Sequence, residues 1–260
     1  GDVGIWIKRD VSGRDVSLSG TANGSVNGDG IKNAARALTS RGDMSLTGVA
    51  SLSGMGIYAY AGSMTSAGRI ELDGTGTSNH GINLHGNALI TSTGSWAQTE
   101  TAVHLKGTSN NAAVSLNGVN IQNNSTKGTT HVEALNGRLE TQVTDFSNVI
   151  AHASTAGQVV MSTDGGHLNL NTRLGITQNS NEGVLIKTLG NGNLTAPKID
   201  NHGTGGVVVA AGSNLTAGTG TGGQVLTLSG NSITQHNTGT TYIYSGQTSG
   251  TGQLNHLNSN

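Results

Sequence analysis

Aromatic, amide and cationic side chains recur in this sequence on one beat. Trp6, Lys32, Tyr58 and Asn83 follow one another at nearly constant spacing, with His104 after a shorter step. Two positions later Lys8, Ala34, Tyr60, His85 and Lys106 keep the same time. Aromatic rings stack on the apolar faces of sugars while amides and cations bond hydroxyls, so two such columns on a flat face would make a surface for a glycan or a partner protein. The plainer reading is a solvated face that tolerates a few aromatics. Choosing between them requires that the elements carrying these residues stack in register.

Other groups with chemical potential read more simply. Arg41-Gly42-Asp43 spells the tripeptide that integrins recognise, but in the repeat it matches Ala67-Gly68-Arg69 and Thr93-Gly94-Ser95, a corner before a strand. Asn23, Asn123, Asn124, Asn193 and Asn214 head glycosylation sequons, several of which chance alone would produce in a chain this rich in Asn, Ser and Thr. STDGGHLNLNTR places Asp164, His167 and Arg173 close in sequence; one carboxylate without a paired neighbour is a weak basis for acid–base catalysis, and Asp164-Gly165-Gly166 also reads as a turn. Glu133, Glu140 and Asp145 would strengthen an enzymatic reading only by meeting Asp164 in one groove. The nine histidines show neither HExxH nor another short metal spacing. The expectation is a protein without catalytic activity, cofactor or metal.

The elements behind the beat are short strands. Gly-aliphatic pairs at Ile5, Ile31, Ile57 and Ile82 open each period. Leu38, Met64 and Ile90 each begin an aliphatic-Thr-Ser triplet at the same interval, and Met44 with Leu46 is echoed by Ile70 with Leu72. Each period holds three apolar-alternating segments punctuated by Gly, Asn, Asp and Ser. Alternation assigns the faces. Ile5/Ile7, Ile57/Ala59, Ile82/Leu84 and Val103/Leu105 are expected to point inward from the first segment, and Val16/Leu18, Met44/Leu46, Ile70/Leu72 and Val114/Leu116 from the third. The glycines are expected at corners that need positive φ. Later repeats drift: GVLIK at 183–187 returns early as GVVVA at 206–210, and NLTA at 193–196 returns earlier still at 214–217. Within 129–165, VEALNGRLETQVTDF admits a short helix, but Val143, Thr144 and Val149-Ile150 favour strands.

Such a pattern predicts an all-β, right-handed parallel β-helix of three short strands per coil and about ten coils, a rod on the order of 50 Å long, over residues 1–245. Residues 246–260 read as a tail or a hand-over to a following domain. A barrel or sandwich would not echo a three-part unit at so long and regular a period, and the nonapeptide of calcium-binding β-rolls is absent.

Composition agrees. Only 33% of residues are hydrophobic and 3% aromatic, which restricts the core to a narrow column. Glycine at 42 residues with one proline excludes collagen and Pro-rich linkers, while 10% charged residues and a net charge of −1 lack the signature of disorder and offer no basic patch for nucleic acid. With no cysteine there are no disulfides or thiolate metal sites, and no apolar run is long enough to span a bilayer. Lacking a signal peptide and an initiator Met, the chain reads as an internal piece of a longer one.

In texture and period, the runs DMSLTGVASLSG, RIELDGTGTSNHGINLHGNALITSTG, NGNLTAPKI and GQVLTLSGNSI resemble the β-helical shafts of filamentous haemagglutinin-like exoproteins, the two-partner-secreted adhesins of Gram-negative bacteria. The likeness covers most of the chain and is to the shaft rather than to the family's secretion domain. It implies an extracellular or cell-surface fibre that attaches cells to hosts, surfaces or each other, biofilm cohesion included, with host or surface glycans and proteins as partners. Two further expectations stay open: a polysaccharide-degrading or tailspike-like β-helix enzyme, and a filament subunit that self-associates through strand edges or coil ends.

Overall fold

The computed structural model describes residues 2–24, 28–94, 100–141, 147–154, 156–164, 166–170, 174–190, 192–212, 223–227 and 231–245. Among these residues the secondary structure is β-strand throughout, without helix, and every strand pairing is parallel. The chain winds as a β-solenoid. Each turn lays two short strands into a sixteen-stranded sheet and one into a nine-stranded sheet. One turn runs Ile31–Ala34, Ala37–Ser40, Met44–Ala50; the next runs Ile57–Tyr60, Ser63–Ser66, Ile70–Gly76.

The regular spacing becomes direct stacking. Ile5 pairs with Ile31, Ile31 with Ile57, and Ile57 with Ile82. A second row runs Leu38, Met64, Ile90, Ile121, Ile150, Ile176, Ile199. Opposite them Leu46, Leu72, Leu105, Val132, Met161, Ile186 and Val209 stack on the nine-stranded sheet. Apart from Ile5 in the first turn, these side chains are at most 1% exposed, so the core is a stack of aliphatic rows between the two sheets. Truncating a buried Leu, Ile or Met of these rows to Ala costs about 2–5 kcal/mol.

Register departs from expectation after Ile82. Val103 pairs with Ile70 on the nine-stranded sheet, and Val114, not Val103, stacks on Ile82. The expected inward pairs are therefore exchanged: Val103/Leu105 belong to the third segment and Val114/Leu116 to the first. The cause is a longer corner. Ser66 precedes Ile70 by four positions, whereas Ser92, its partner one turn on, precedes Val103 by eleven. Inside 129–165, the strands Thr129–Leu135, Arg138–Thr141 and Asn148–His152 take the place of the alternative helix, while Val143, Thr144 and Asp145 lie outside the described residues.

Most of the recurring glycines serve close approach rather than a left-handed turn. Gly20, Gly48, Gly74 and Gly107 stack within the third strands. A Cβ on Gly48 or Gly74 would overlap the carbonyl oxygen of Gly56 or Gly81, which opens the following turn. Left-handed φ occurs at the corner between the first two strands, at Ala35 (56°), Ala61 (50°), Gly86 (72°) and Gly118 (72°), and ahead of later third strands at Gly128 (150°), Gly157 (94°) and Gly183 (78°).

The corner before the third strand is filled from inside by a buried polar row: Ser40, Ser66, Ser92, Asn123, His152, Gln178, Asn201. Where the corner is four positions long, a serine hydroxyl suffices. Ser40 Oγ lies 2.8 Å from both Arg14 O and Asp43 O, either of which can accept its one proton, and Ser66 Oγ donates to Gly42 O at 2.5 Å. Where six or seven must be spanned, an amide reaches further: Asn123 Nδ2 donates to Gly128 O at 2.9 Å, Gln178 Nε2 to Gly183 O at 2.7 Å, and Asn201 Nδ2 to Gly205 O at 2.6 Å. Left unbonded, each such carbonyl would carry the cost of a buried polar group.

Candidate ligand-binding face

On the sixteen-stranded sheet the outward positions of the first strands meet as their register requires. Trp6 pairs with Lys32, Lys32 with Tyr58 and Tyr58 with Asn83; beside them Ala34 pairs with Tyr60 and Tyr60 with His85. Strand spacing of about 4.8 Å brings these side chains into contact. Lys8 Nζ lies 4.2 Å from the centre of the Trp6 ring, and Lys32 Nζ bridges the Trp6 and Tyr58 rings at 5.7 and 5.4 Å. Such contacts contribute about 0.5–1 kcal/mol at exposed sites. The Tyr60 ring meets His85 edge-on at 4.6 Å, and Tyr58 Oη shares a 2.6 Å hydrogen bond with His85 Nε2.

Burial favours the neutral forms of the Tyr58 and His85 side chains. Burial pushes the Tyr58 hydroxyl above its ordinary pKa, with the Asp29 charge adding to the effect, and burial holds His85 below the usual imidazole range. Asp29 is raised by burial, against the Met55 N–H that bonds Oδ1 at 3.1 Å and against Lys32, whose Nζ is 3.9 Å from Oδ2. Trp6 at 51% and Tyr60 at 45% present open rings to solvent. Asn83 does not share that openness: it is 8% exposed, and its Oδ1 has no hydrogen-bond partner.

His104 and Lys106 are not on this face. They sit on the nine-stranded sheet, where His104 stacks between Glu71 and His131 and Lys106 between Asp73 and Glu133. Their place in the first column is taken by Ser115, paired with Asn83, and by Asn117, paired with His85. The motif shared by Val103–Thr108 and Ile70–Thr75, alternating aliphatics followed by Gly-Thr, marks the true register in the sequence.

The remaining candidates fall at corners. Asp43 Oδ1 accepts from Arg69 N at 2.8 Å, and Gly42 N donates to Arg14 O at 2.5 Å, so Arg41-Gly42-Asp43 is built into the corner stack. Asn123 is fully buried, while Asn23 and Asn124 are exposed; Asn193 Oδ1 accepts from Gln224 N at 3.0 Å, and Asn214 lies outside the described residues. Asp164 Oδ1 caps Asn136 N at 2.8 Å and His167 Nδ1 caps Asn193 N at 3.0 Å; Arg173 lies outside the described residues. Glu140 accepts from Arg138 Nε at 2.5 Å and faces His80 at 3.9 Å, and the proximity of His80, with the Arg138 guanidinium, holds its carboxyl below the ordinary range; Glu133 faces His104 on the other sheet. These carboxylates are each engaged with different neighbours.

A second aromatic patch, which the repeat does not signal, lies on the nine-stranded sheet. Tyr242 and Tyr244, in the strand Thr241–Ser245, stack at 6.0 Å and line a groove of about 500 Å³ with Leu185 and Val208. Among the described residues no helix is long and apolar enough to cross a membrane. Compared with protein-family models, curated proteins and solved structures, the chain matches none of them.

Proposed function

We propose that the chain is a right-handed shaft segment of a secreted bacterial surface fibre, related to the filamentous haemagglutinin-like exoproteins, and that its sixteen-stranded face contacts glycans. Parallel crossovers are right-handed in nearly all proteins, which supports the hand. One observation carries the contact surface: Trp6, Lys8, Lys32, Tyr58, Tyr60 and His85, contributed by four successive turns, form one continuous cluster of open rings and cations. Open rings supply stacking planes for sugar C–H faces, and the two lysines suit carboxylated sugars. A glycan array probed with the segment tests the reading. Binding should fall about tenfold in Trp6→Ala and in Tyr60→Ala, equivalent to about 1.4 kcal/mol. Equal signal from wild type and from a Trp6→Ala/Tyr60→Ala double variant would remove the glycan-contact role and leave a spacer.

A further inference from the structure

The nine-stranded sheet carries a cluster that the glycan reading does not use. Three successive strands, Ile70–Gly76, Thr101–Thr108 and Thr129–Leu135, place Glu71, His104 and His131 in one outward column. Glu133 projects from the same face two positions beyond His131. We propose that His104, His131 and Glu133 form a binding site for a divalent transition metal of the zinc class, with Glu71 as the outer partner of His104.

The donor geometry supports this. One ligand atom from each of the three residues lies within 4.8 Å of the others. His104 Nε2 is buried without a hydrogen-bond partner while Glu133 Oε2 stands 3.4 Å away. Leaving a buried nitrogen unbonded is costly, and a shared cation removes that cost. His104 Nδ1 faces Glu71 Oε1 at 4.0 Å, placing a carboxylate where it orients a metal-bound imidazole. His131 Nε2 is held by Ser162 Oγ at 3.1 Å, which leaves Nδ1 as its ligating nitrogen. The imidazoles stack 5.0 Å apart, 11° from parallel, on rigid strands. Tetrahedral zinc with bonds of about 2.0–2.1 Å needs donors about 3.3 Å apart, within reach of side-chain rotation. Lys106 does not occupy the carboxylate, because its Nζ is on Asp73 at 3.3 Å. Two imidazoles and one carboxylate suit zinc rather than calcium or magnesium, and leave a fourth position for water or an external donor.

A second trio, Asp200, His202 and His236, meets the same donor spacing and serves as the comparison, because its two imidazoles are exposed and neither leaves a buried ring nitrogen without a partner. These imidazoles stack at 4.1 Å, and both Nε2 atoms already face the Asp200 carboxylate, at 3.4 and 2.6 Å.

Titrating chelator-stripped protein with zinc by calorimetry at pH 7.5 should give one equivalent bound. Affinity should drop at least tenfold in His104→Gln and in Glu133→Gln and stay unchanged in the His202→Gln/His236→Gln double variant. On the unaltered chain, zinc should shift the ring nitrogen resonances of His104 and His131, a measurement that does not depend on any variant folding. Absence of binding, binding lost in the double variant, or unmoved His104 resonances would overturn the site.

Discussion

His152 shows how one side chain can serve the fold and limit it. It is fully buried in the polar row, with Nδ1 3.1 Å from Thr130 Oγ1, and burial lowers its pKa to about 4. Folding thus favours the neutral imidazole, against an unfolded value of about 6.5. That contribution is complete above about pH 6.5 and is lost as pH falls through the window down to about 4, in total about 3 kcal/mol. Urea unfolding at pH 7.5 and pH 4 should show His152→Gln losing less stability on acidification than wild type by about that amount. Gln suits the position because its stacking neighbours are Asn123 and Gln178. At this scale the candidate face was partly legible. Trp6, Lys32, Tyr58, Tyr60 and His85 were found from spacing alone, since outward residues of stacked strands inherit the repeat. The imidazole–carboxylate cluster was not, because His104 and His131 come from successive turns and meet only through the register of their strands; His131-Val132-Glu133, two outward groups flanking an inward valine, was its one hint.

Within the strands, glycine plays two different roles. Gly48 and Gly74 have no room for a Cβ against the carbonyl of the next turn, whereas a Cβ on Gly175, in the strand Leu174–Gln178, meets nothing within 4 Å. Gly74→Ala should therefore destabilise by more than about 2 kcal/mol, and Gly175→Ala should stabilise by about 0.4–1 kcal/mol through reduced freedom of the unfolded chain; chemical denaturation of both measures the contrast. The expectation of left-handed glycines at corners holds at Gly86, Gly118, Gly128, Gly157 and Gly183 but not at Gly48 and Gly74, because sequence shows where glycine recurs, not which atom lies opposite. At the corner between the first two strands, Ala35 and Ala61 take the left-handed conformation in two turns and Gly86 and Gly118 in the next two. The exchange of Val103 and Val114 has a similar origin. Inward alternation identifies a strand but not its sheet once a corner grows from four positions to eleven.

As a whole, the molecule is a linear stack whose turns contact mainly their immediate neighbours. Stability in such stacks is a sum of similar increments. Removing residues 31–56 joins Gly30 to Ile57 and brings Ile5 onto Ile57 in unchanged register. The shortened chain should keep a β-rich circular dichroism spectrum with a denaturant slope smaller by about a tenth, because the slope follows the surface exposed on unfolding. An unfolded product would show that this turn is indispensable. The parallel solenoid itself was the most legible feature, because its beat holds over several turns before the drift begins; the described residues give nine strands on the second sheet, against about ten coils expected.

The polar row, serine at bends of four positions and at one of eleven and Asn, His or Gln at those of six or seven, gives the lineage of this chain a route to change. A short insertion at that bend, matched by a single exchange of the plugging side chain, lengthens a loop without disturbing the rows of aliphatic packing. New loops, and whatever they come to recognise, can be added there one at a time.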